Sequence, residues 1–188
     1  SDWHEEHDGN LRIILPDTYG SQGFLANAPD WLAGWTGIRI DSGDPAAAAE
    51  TAINWWRARG EDPSHKRIIF SDGLDVTTIR ALHRQFSQRV KVSFGWGTLL
   101  TNDFRGASPE PSTGLDPISL VCKVTSANGR PAVKLSDNPA KTSGDPEAVA
   151  RYHRRRTQMS PDEVRDRLHQ RYAATREESP GDAVGGDA

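Results

Sequence analysis

The sequence has a single cysteine, Cys122, in 188 residues. An intrachain disulfide is excluded, and so is a cysteine-rich zinc site. One unpaired thiol fits a reducing compartment, and the cytoplasm is the expected location. No apolar run approaches the ~20 residues that span a bilayer, and no signal peptide opens the chain, so no membrane partner is expected. Excess charge is missing too. A formal net charge of −3 gives no global attraction to nucleic acid or to anionic lipid. The basic run His153-Arg154-Arg155-Arg156 reads as a solvated face. The six histidines show no metal-ligand spacing, so no resident metal site is expected. A starting methionine is also absent. The chain opens on Ser1-Asp2-Trp3-His4, from which we expect a fragment or a processed product.

What is present is an alternation of short apolar runs and amphipathic stretches. Residues 11–15, 36–40, 67–70 and 90–94 read as buried strands. Residues 45–59 read as a helix, with Pro45 at its start, an alanine run, and Gly60 at its end. Ala49, Ile53 and Trp56 fall on its inner face. Residues 75–86 read as a second helix, with Val76, Ile79, Leu82 and Phe86 as the buried stripe. A helical turn or two is expected over residues 22–27. Strand and helix in turn with short connections imply a parallel sheet with crossover helices, either a barrel or a doubly wound sheet. The pattern changes after Thr98. Residues 118–124 and 131–135 read as strands flanking an Asn128-Gly129 hairpin turn. A helix follows from the Asp145-Pro146-Glu147 start to about residue 155, another spans residues 160–176, and residues 177–188 read as disordered. The expected division is residues 1–106 as the barrel part, 107–158 as a return segment with hairpin and helix, and 159–188 as a helical extension and tail.

In such α/β architectures the loops after the C-terminal strand ends build the active site. Three loops there carry glycine beside polar groups. The first is Arg39-Ile40-Asp41-Ser42-Gly43-Asp44-Pro45. Alternation puts Arg39 and Asp41 on one side of the strand end. Carboxylates suit ribose hydroxyls or a magnesium ion that carries a pyrophosphate, and Arg39 suits a carboxylate, a phosphate or a ring. Asp44 before Pro45 is equally a good helix N-cap. The second loop, Ser71-Asp72-Gly73, repeats the theme. The third, Gly95-Trp96-Gly97-Thr98, is the phosphate candidate, since glycines let backbone N–H groups approach an anion and Thr98 adds a hydroxyl. Together they describe a phosphosugar site.

At these loops the sequence resembles nicotinate phosphoribosyltransferases. The resemblance is carried by Asp17-Thr18-Tyr19-Gly20, residues 37–45 with RxDSGDP, residues 69–75, residues 93–103 (SFGWGTLLTND) and residues 117–137, which end in KLSD. It extends over roughly residues 1–155. It implies an irregular (β/α) barrel beside a second domain, and a homodimeric enzyme when complete. It implies that nicotinate is joined to the ribose of phosphoribosyl pyrophosphate, giving nicotinate mononucleotide and pyrophosphate in NAD salvage. Magnesium would accompany the sugar, and ATP would be a co-substrate hydrolysed through a phosphorylated histidine. By the same resemblance Asp41 and Asp44 are catalytic, holding ribose hydroxyls or the metal–pyrophosphate. Arg39 meets the pyridine ring or a phosphate, with Ser42 and Gly43 in the same substrate loop. Ser71, Asp72 and Gly73 line the ribose-phosphate pocket, and Gly95, Gly97 and Thr98 take the 5′-phosphate.

One family feature is missing. The phosphorylated histidine lies in a Gly-Thr-x-x-His-Glu segment, and these 188 residues contain none. The expectation is therefore a C-terminal part of the enzyme, inactive alone, whose partner is the N-terminal part of the same enzyme. The alternatives are a non-catalytic remnant that binds a phosphosugar or a partner chain, and a nicotinamide-using relative. The SFGWGTLLTND wording favours nicotinate.

Overall fold

The computed structural model describes residues 3, 6, 7, 9–107 and 115–158. Four parallel strands pair in chain order: β1 (Ile13–Ile14), β2 (Gly37–Ile40), β3 (Arg67–Phe70) and β4 (Lys91–Phe94). Helices connect them: α1 (Ser21–Asn27), α2 (Pro45–Ala58) and α3 (Val76–Phe86). A short helix α4 (Thr98–Thr101) follows β4. The parallel α/β sheet expected from the sequence is present. The chain divides into two compact units between Val149 and Ala150. The sheet and the loops described below belong to the first.

Local chemistry explains these elements. Asp44 caps α2 by accepting from the Ala47 N–H at 2.6 Å, and Pro45 occupies the first helical turn, where no N–H is needed. Ala49, Ala52, Ile53 and Trp56 recur at helical spacing and are almost completely buried against the sheet. Ile68 and Phe70 point inward from β3, and Phe70 meets the rings of Phe86 and Phe94 at 6.0 and 5.6 Å. Burial of each such side chain contributes roughly 1.5–3 kcal/mol. The Trp55 indole N–H donates to the Leu25 carbonyl at 2.7 Å and ties α2 to α1. In α3 the expected stripe is correct for Leu82 and Phe86, with Ile79 partly buried. Val76 is the exception. It lies in the first helical turn and is exposed.

Helices α2 and α3 flank a bidentate ion pair. The Arg89 guanidinium donates to both Glu50 oxygens, at 2.6 and 2.7 Å. The Arg89 hydrogen bonds, followed by its charge, hold the Glu50 carboxyl below its ordinary value. A depressed carboxylate pKa adds stability that is present above the unfolded value of about 4.3 and is lost as the pH falls through the lower folded value. The Glu50→Gln variant should therefore be less stable than the parent at pH 7, by at most about 1 kcal/mol because the pair is partly exposed. The difference should vanish in acid. Urea unfolding at pH 7 and at successively lower pH measures both.

The segment after α4 departs from expectation. Residues 118–124 form no strand. Ile118, Leu120, Val121 and Val124 are exposed, and no ladder partner is present among the described residues. A run of β-formers is not a strand until another strand pairs with it. The hairpin turn itself is correct. Asn128 and Gly129 both take positive φ, at 49° and 70°, as a type I′ turn requires. Its ladder is only β5 (Ser126–Ala127) against β6 (Arg130–Pro131). The strand expected over residues 131–135 shrinks accordingly, with Lys134 making an isolated bridge to Ser143. Helix α5 (Pro146–Gln158) begins where expected, capped by Asp145 accepting from the Ala148 N–H, and runs past residue 155. The helix expected over residues 160–176 and the disordered tail expected beyond it lie outside the described residues.

Candidate functional site

Register aligns the three loops. Ile40 pairs with Phe70 and Phe70 with Phe94, so β2, β3 and β4 end at one level. The ladder continues one step further, since the Ser71 N–H donates to the Ile40 carbonyl at 2.9 Å and the Gly95 N–H to the Phe70 carbonyl at 2.7 Å. Asp41, Ser71 and Gly95 therefore follow directly on adjacent strand ends.

Arg39 and Asp41 lie on the same side of the strand end, as alternation requires, with Arg39 Nη2 3.2 Å from Asp41 Oδ1. Both meet Ser71. The Ser71 hydroxyl accepts from Arg39 Nε at 2.8 Å. Its single proton lies between Asp41 Oδ1, at 3.0 Å, and the Ile40 carbonyl, at 3.1 Å. The first two loops are thus one hydrogen-bonded unit. Gly43 and Gly73 both take left-handed φ, at 75° and 57°, and turn each loop back toward its following helix. Asp75 then caps α3, and the Thr78 N–H, with its hydroxyl, holds the Asp75 carboxyl below the usual range.

A cavity of about 200 Å³ opens beside the first loop, lined by Asp17, Ser21, Arg39, Asp41, Ser42, Asp44 and Asp137 among others. Enclosed drug-sized ligands occupy roughly 300–1,000 Å³, so this cavity fits part of such a ligand. Ser71, Asp72, Gly73, Gly95, Gly97 and Thr98 do not line it. The second loop reaches the first through Ser71, and the third approaches Ser71 in turn. A Cβ on Gly95 would lie 3.2 Å from Ser71 Cβ, so glycine permits that approach. Gly97 precedes the four-residue helix α4, and the Thr98 hydroxyl lies 3.5 Å from that of Ser119. The Trp96 indole nitrogen is buried without a hydrogen-bond partner among the described residues.

The return segment supplies contacts that the loop pattern did not announce. The buried Asp17 accepts from the Ser136 hydroxyl at 3.1 Å. Asp137 accepts from the Ser21 N–H and hydroxyl at 2.8 and 2.7 Å. Lys141 places its ammonium 2.9 Å from Asp72 Oδ1 and 3.7 Å from Asp41 Oδ1, and donates to the Asp41 carbonyl. Asp17, Ser136 and Asp137 lie in the DTYG and KLSD stretches already singled out. Lys141 lies beyond them, and nothing in its local sequence marks it.

No group of three or more His, Cys, Asp and Glu side chains gathers as a metal cage among the described residues. One oxygen each of Asp41 and Asp72 faces Lys141, and one of Asp44 accepts from Ala47. Such a set could serve only a cation that keeps several waters and needs one or two carboxylates, as magnesium does.

The model of the nicotinate phosphoribosyltransferase family matches residues 1–161. A crystal structure of nicotinate phosphoribosyltransferase from Vibrio cholerae is 35% identical, with a TM-score of 0.70 over 89% of this chain and 40% of that one. The Porphyromonas gingivalis enzyme is 34% identical, with a TM-score of 0.69 over 83% of this chain and 40% of that one. A putative nicotinate phosphoribosyltransferase from Saccharomyces cerevisiae is 30% identical, with a TM-score of 0.64 over 78% and 36%. The chain therefore spans about two fifths of the length of these solved structures.

Proposed function

Since this chain belongs to the nicotinate phosphoribosyltransferase family, we propose that it supplies the phosphosugar half of a site that joins nicotinate to the ribose of phosphoribosyl pyrophosphate. The products are nicotinate mononucleotide and pyrophosphate, a salvage step toward NAD. The observation that carries this reading is the Arg39–Ser71–Asp41 junction, which couples the loops of two adjacent strand ends.

Transfer of the ribosyl group passes through a ribose with oxocarbenium character, so positive charge develops at the sugar as pyrophosphate departs. A fixed carboxylate near that carbon stabilises the charge. What supports Asp41 in this role is that its side chain is only 18% exposed and is oriented by Ser71, Arg39 and Lys141. Asp44 keeps one oxygen on the α2 cap and offers the other to a ribose hydroxyl. Ser42 and Gly43 complete this substrate loop, and Arg39 takes the nicotinate ring or a phosphate. Ser71, Asp72 and Gly73, outside the cavity described above, line the ribose-phosphate part of the site in this reading. Gly95, Gly97 and Thr98 receive the 5′-phosphate. Asp41 and Asp44 would hold the magnesium, which when bound neutralises charge on the departing pyrophosphate.

The sheet is the C-terminal arc of a (β/α) barrel in this reading. Strand order 1-2-3-4 without a reversal supports it, because a doubly wound sheet reverses its order at the binding crevice. Among the described residues β1 and β4 each have one neighbour, so each leaves an edge for further strands. The exposed apolar side chains of residues 118–124 offer further surface to the rest of a homodimeric enzyme. ATP enters as co-substrate.

A polypeptide of these 188 residues alone should bind the phosphosugar weakly or aggregate, and should form no mononucleotide, because the Gly-Thr-x-x-His-Glu segment is not among them. A chromatographic assay for nicotinate mononucleotide, with and without ATP, checks this. Robust ATP-dependent synthesis by that polypeptide would overturn the division of labour proposed here.

A further inference from the structure

We infer that Lys141 is a positioning residue of the sugar site: its ammonium clasps the Asp41 and Asp72 carboxylates at the spacing from which they meet the ribose. The inference rests on the phosphosugar reading above for its ligand, and on this structure alone for its geometry.

Lys141 stands 100 residues from Asp41 in the chain. It arrives on a strap anchored elsewhere. The Ser136 hydroxyl donates to Asp17, and Asp137 accepts from Ser21, so the strap is fixed to the loop and helix that follow β1. The Asn138 N–H donates to the Ser136 hydroxyl, and its side chain caps the short turn Pro139–Lys141 by accepting from the Ala140 N–H. The last residue of that turn then crosses the ends of β2 and β3. Its ammonium has three protons, and three acceptors surround it: the Asp41 carbonyl, Asp72 Oδ1 and, more distantly, Asp41 Oδ1. The strap therefore touches three consecutive strand ends, and among the described residues Lys141 alone joins the second to the third by charge.

Two consequences follow. The clasp adds a charged tie to loops that each turn on a left-handed glycine and are otherwise joined through Ser71. It also offsets carboxylate charge where a polyanionic substrate must approach, since it pairs with Asp72 and adds a second cation to the Arg39 that faces Asp41.

The test uses the full protein and the Lys141→Met variant, which keeps side-chain length and removes the charge. Hydrogen exchange read by mass spectrometry should accelerate at least tenfold in peptides covering residues 40–46 and 70–76, with the α2 core peptide unchanged. The dissociation constant for magnesium phosphoribosyl pyrophosphate should rise at least tenfold. Adding Lys141→Met to Asp72→Asn should weaken binding by less than tenfold, since the nearer of the two carboxylates it clasps is already gone and only its hold on Asp41 is lost. Unchanged exchange in both loops would overturn the inference. So would an undiminished effect in the double variant, which would mean that Lys141 acts on the ligand itself. Loosened loops in a protein whose parent binds no phosphoribosyl pyrophosphate would uphold the clasp and refute the phosphosugar reading instead.

Discussion

Replacing Asp41 by asparagine should lower the turnover of the complete enzyme on the order of 10²–10³-fold, the range seen when one preorganised electrostatic contact to a transition state is removed. Asparagine keeps the shape and can still accept from the Ser71 hydroxyl, so the fold should survive. What disappears is the negative charge. Arg39 at 3.2 Å and Lys141 at 3.7 Å would then face a neutral amide, and the developing positive charge on the ribose would lose its counter-ion. The loss should fall mainly on kcat, because the charge on the sugar exists mainly in the transition state. The Asp44→Asn variant provides the contrast. Asparagine is nearly as good an N-cap as aspartate, so α2 should persist and any loss of rate would report the second oxygen. Steady-state kinetics with both substrates varied separates the outcomes. A fall in affinity at constant kcat would place Asp41 in ground-state binding only.

Replacing Gly37 by alanine should destabilise the first unit by about 3 kcal/mol, a fall in melting temperature of roughly 6–12 °C for a protein of this size. Gly37 opens β2 and pairs with Arg67 of β3 and Ile13 of β1. A Cβ there would lie 2.3 Å from the Arg67 carbonyl oxygen and 3.0 Å from its carbon. Both are backbone atoms of the central ladder, so relief requires β2 and β3 to part. Gly23 is the control. It lies within α1, a Cβ there meets nothing within 4 Å, and Gly23→Ala should be neutral or stabilising by up to about 1 kcal/mol. Thermal unfolding followed by circular dichroism compares the two variants. Equal melting temperatures would mean that the strands are further apart than described.

The sheet was legible where a strand is a short apolar run closed by a polar loop. Residues 67–70 are the strand expected, and β2 differs by one residue from the 36–40 expected. Helix α2 was legible because Asp44, Pro45 and Gly60 mark both ends and the inner face repeats at helical spacing. Residues 118–124 were not, since β propensity says nothing about whether a partner strand lies alongside. Val76 shares the stripe of α3 in a helical projection, yet at the first turn it is exposed. Within the candidate site, the first two loops carried their own signal: a glycine turn between carboxylates just after an apolar strand. Their direct coupling through Ser71 depends on register, which only pairing sets. Lys141 had no local signal. It meets Asp41 and Asp72 only after the chain has returned across the sheet, and a contact made at a separation of 100 residues leaves no trace in the spacing around it.

The central claim is that the aligned loops form a phosphosugar site organised around Asp41 and Ser71. Isothermal titration of the full protein with phosphoribosyl pyrophosphate and magnesium tests it most directly, with the Ser71→Ala variant alongside. Saturable binding that requires magnesium, and that weakens at least tenfold when Ser71 no longer joins Arg39 to Asp41, is the predicted result. No binding by a folded parent, or binding indifferent to Ser71, would contradict it.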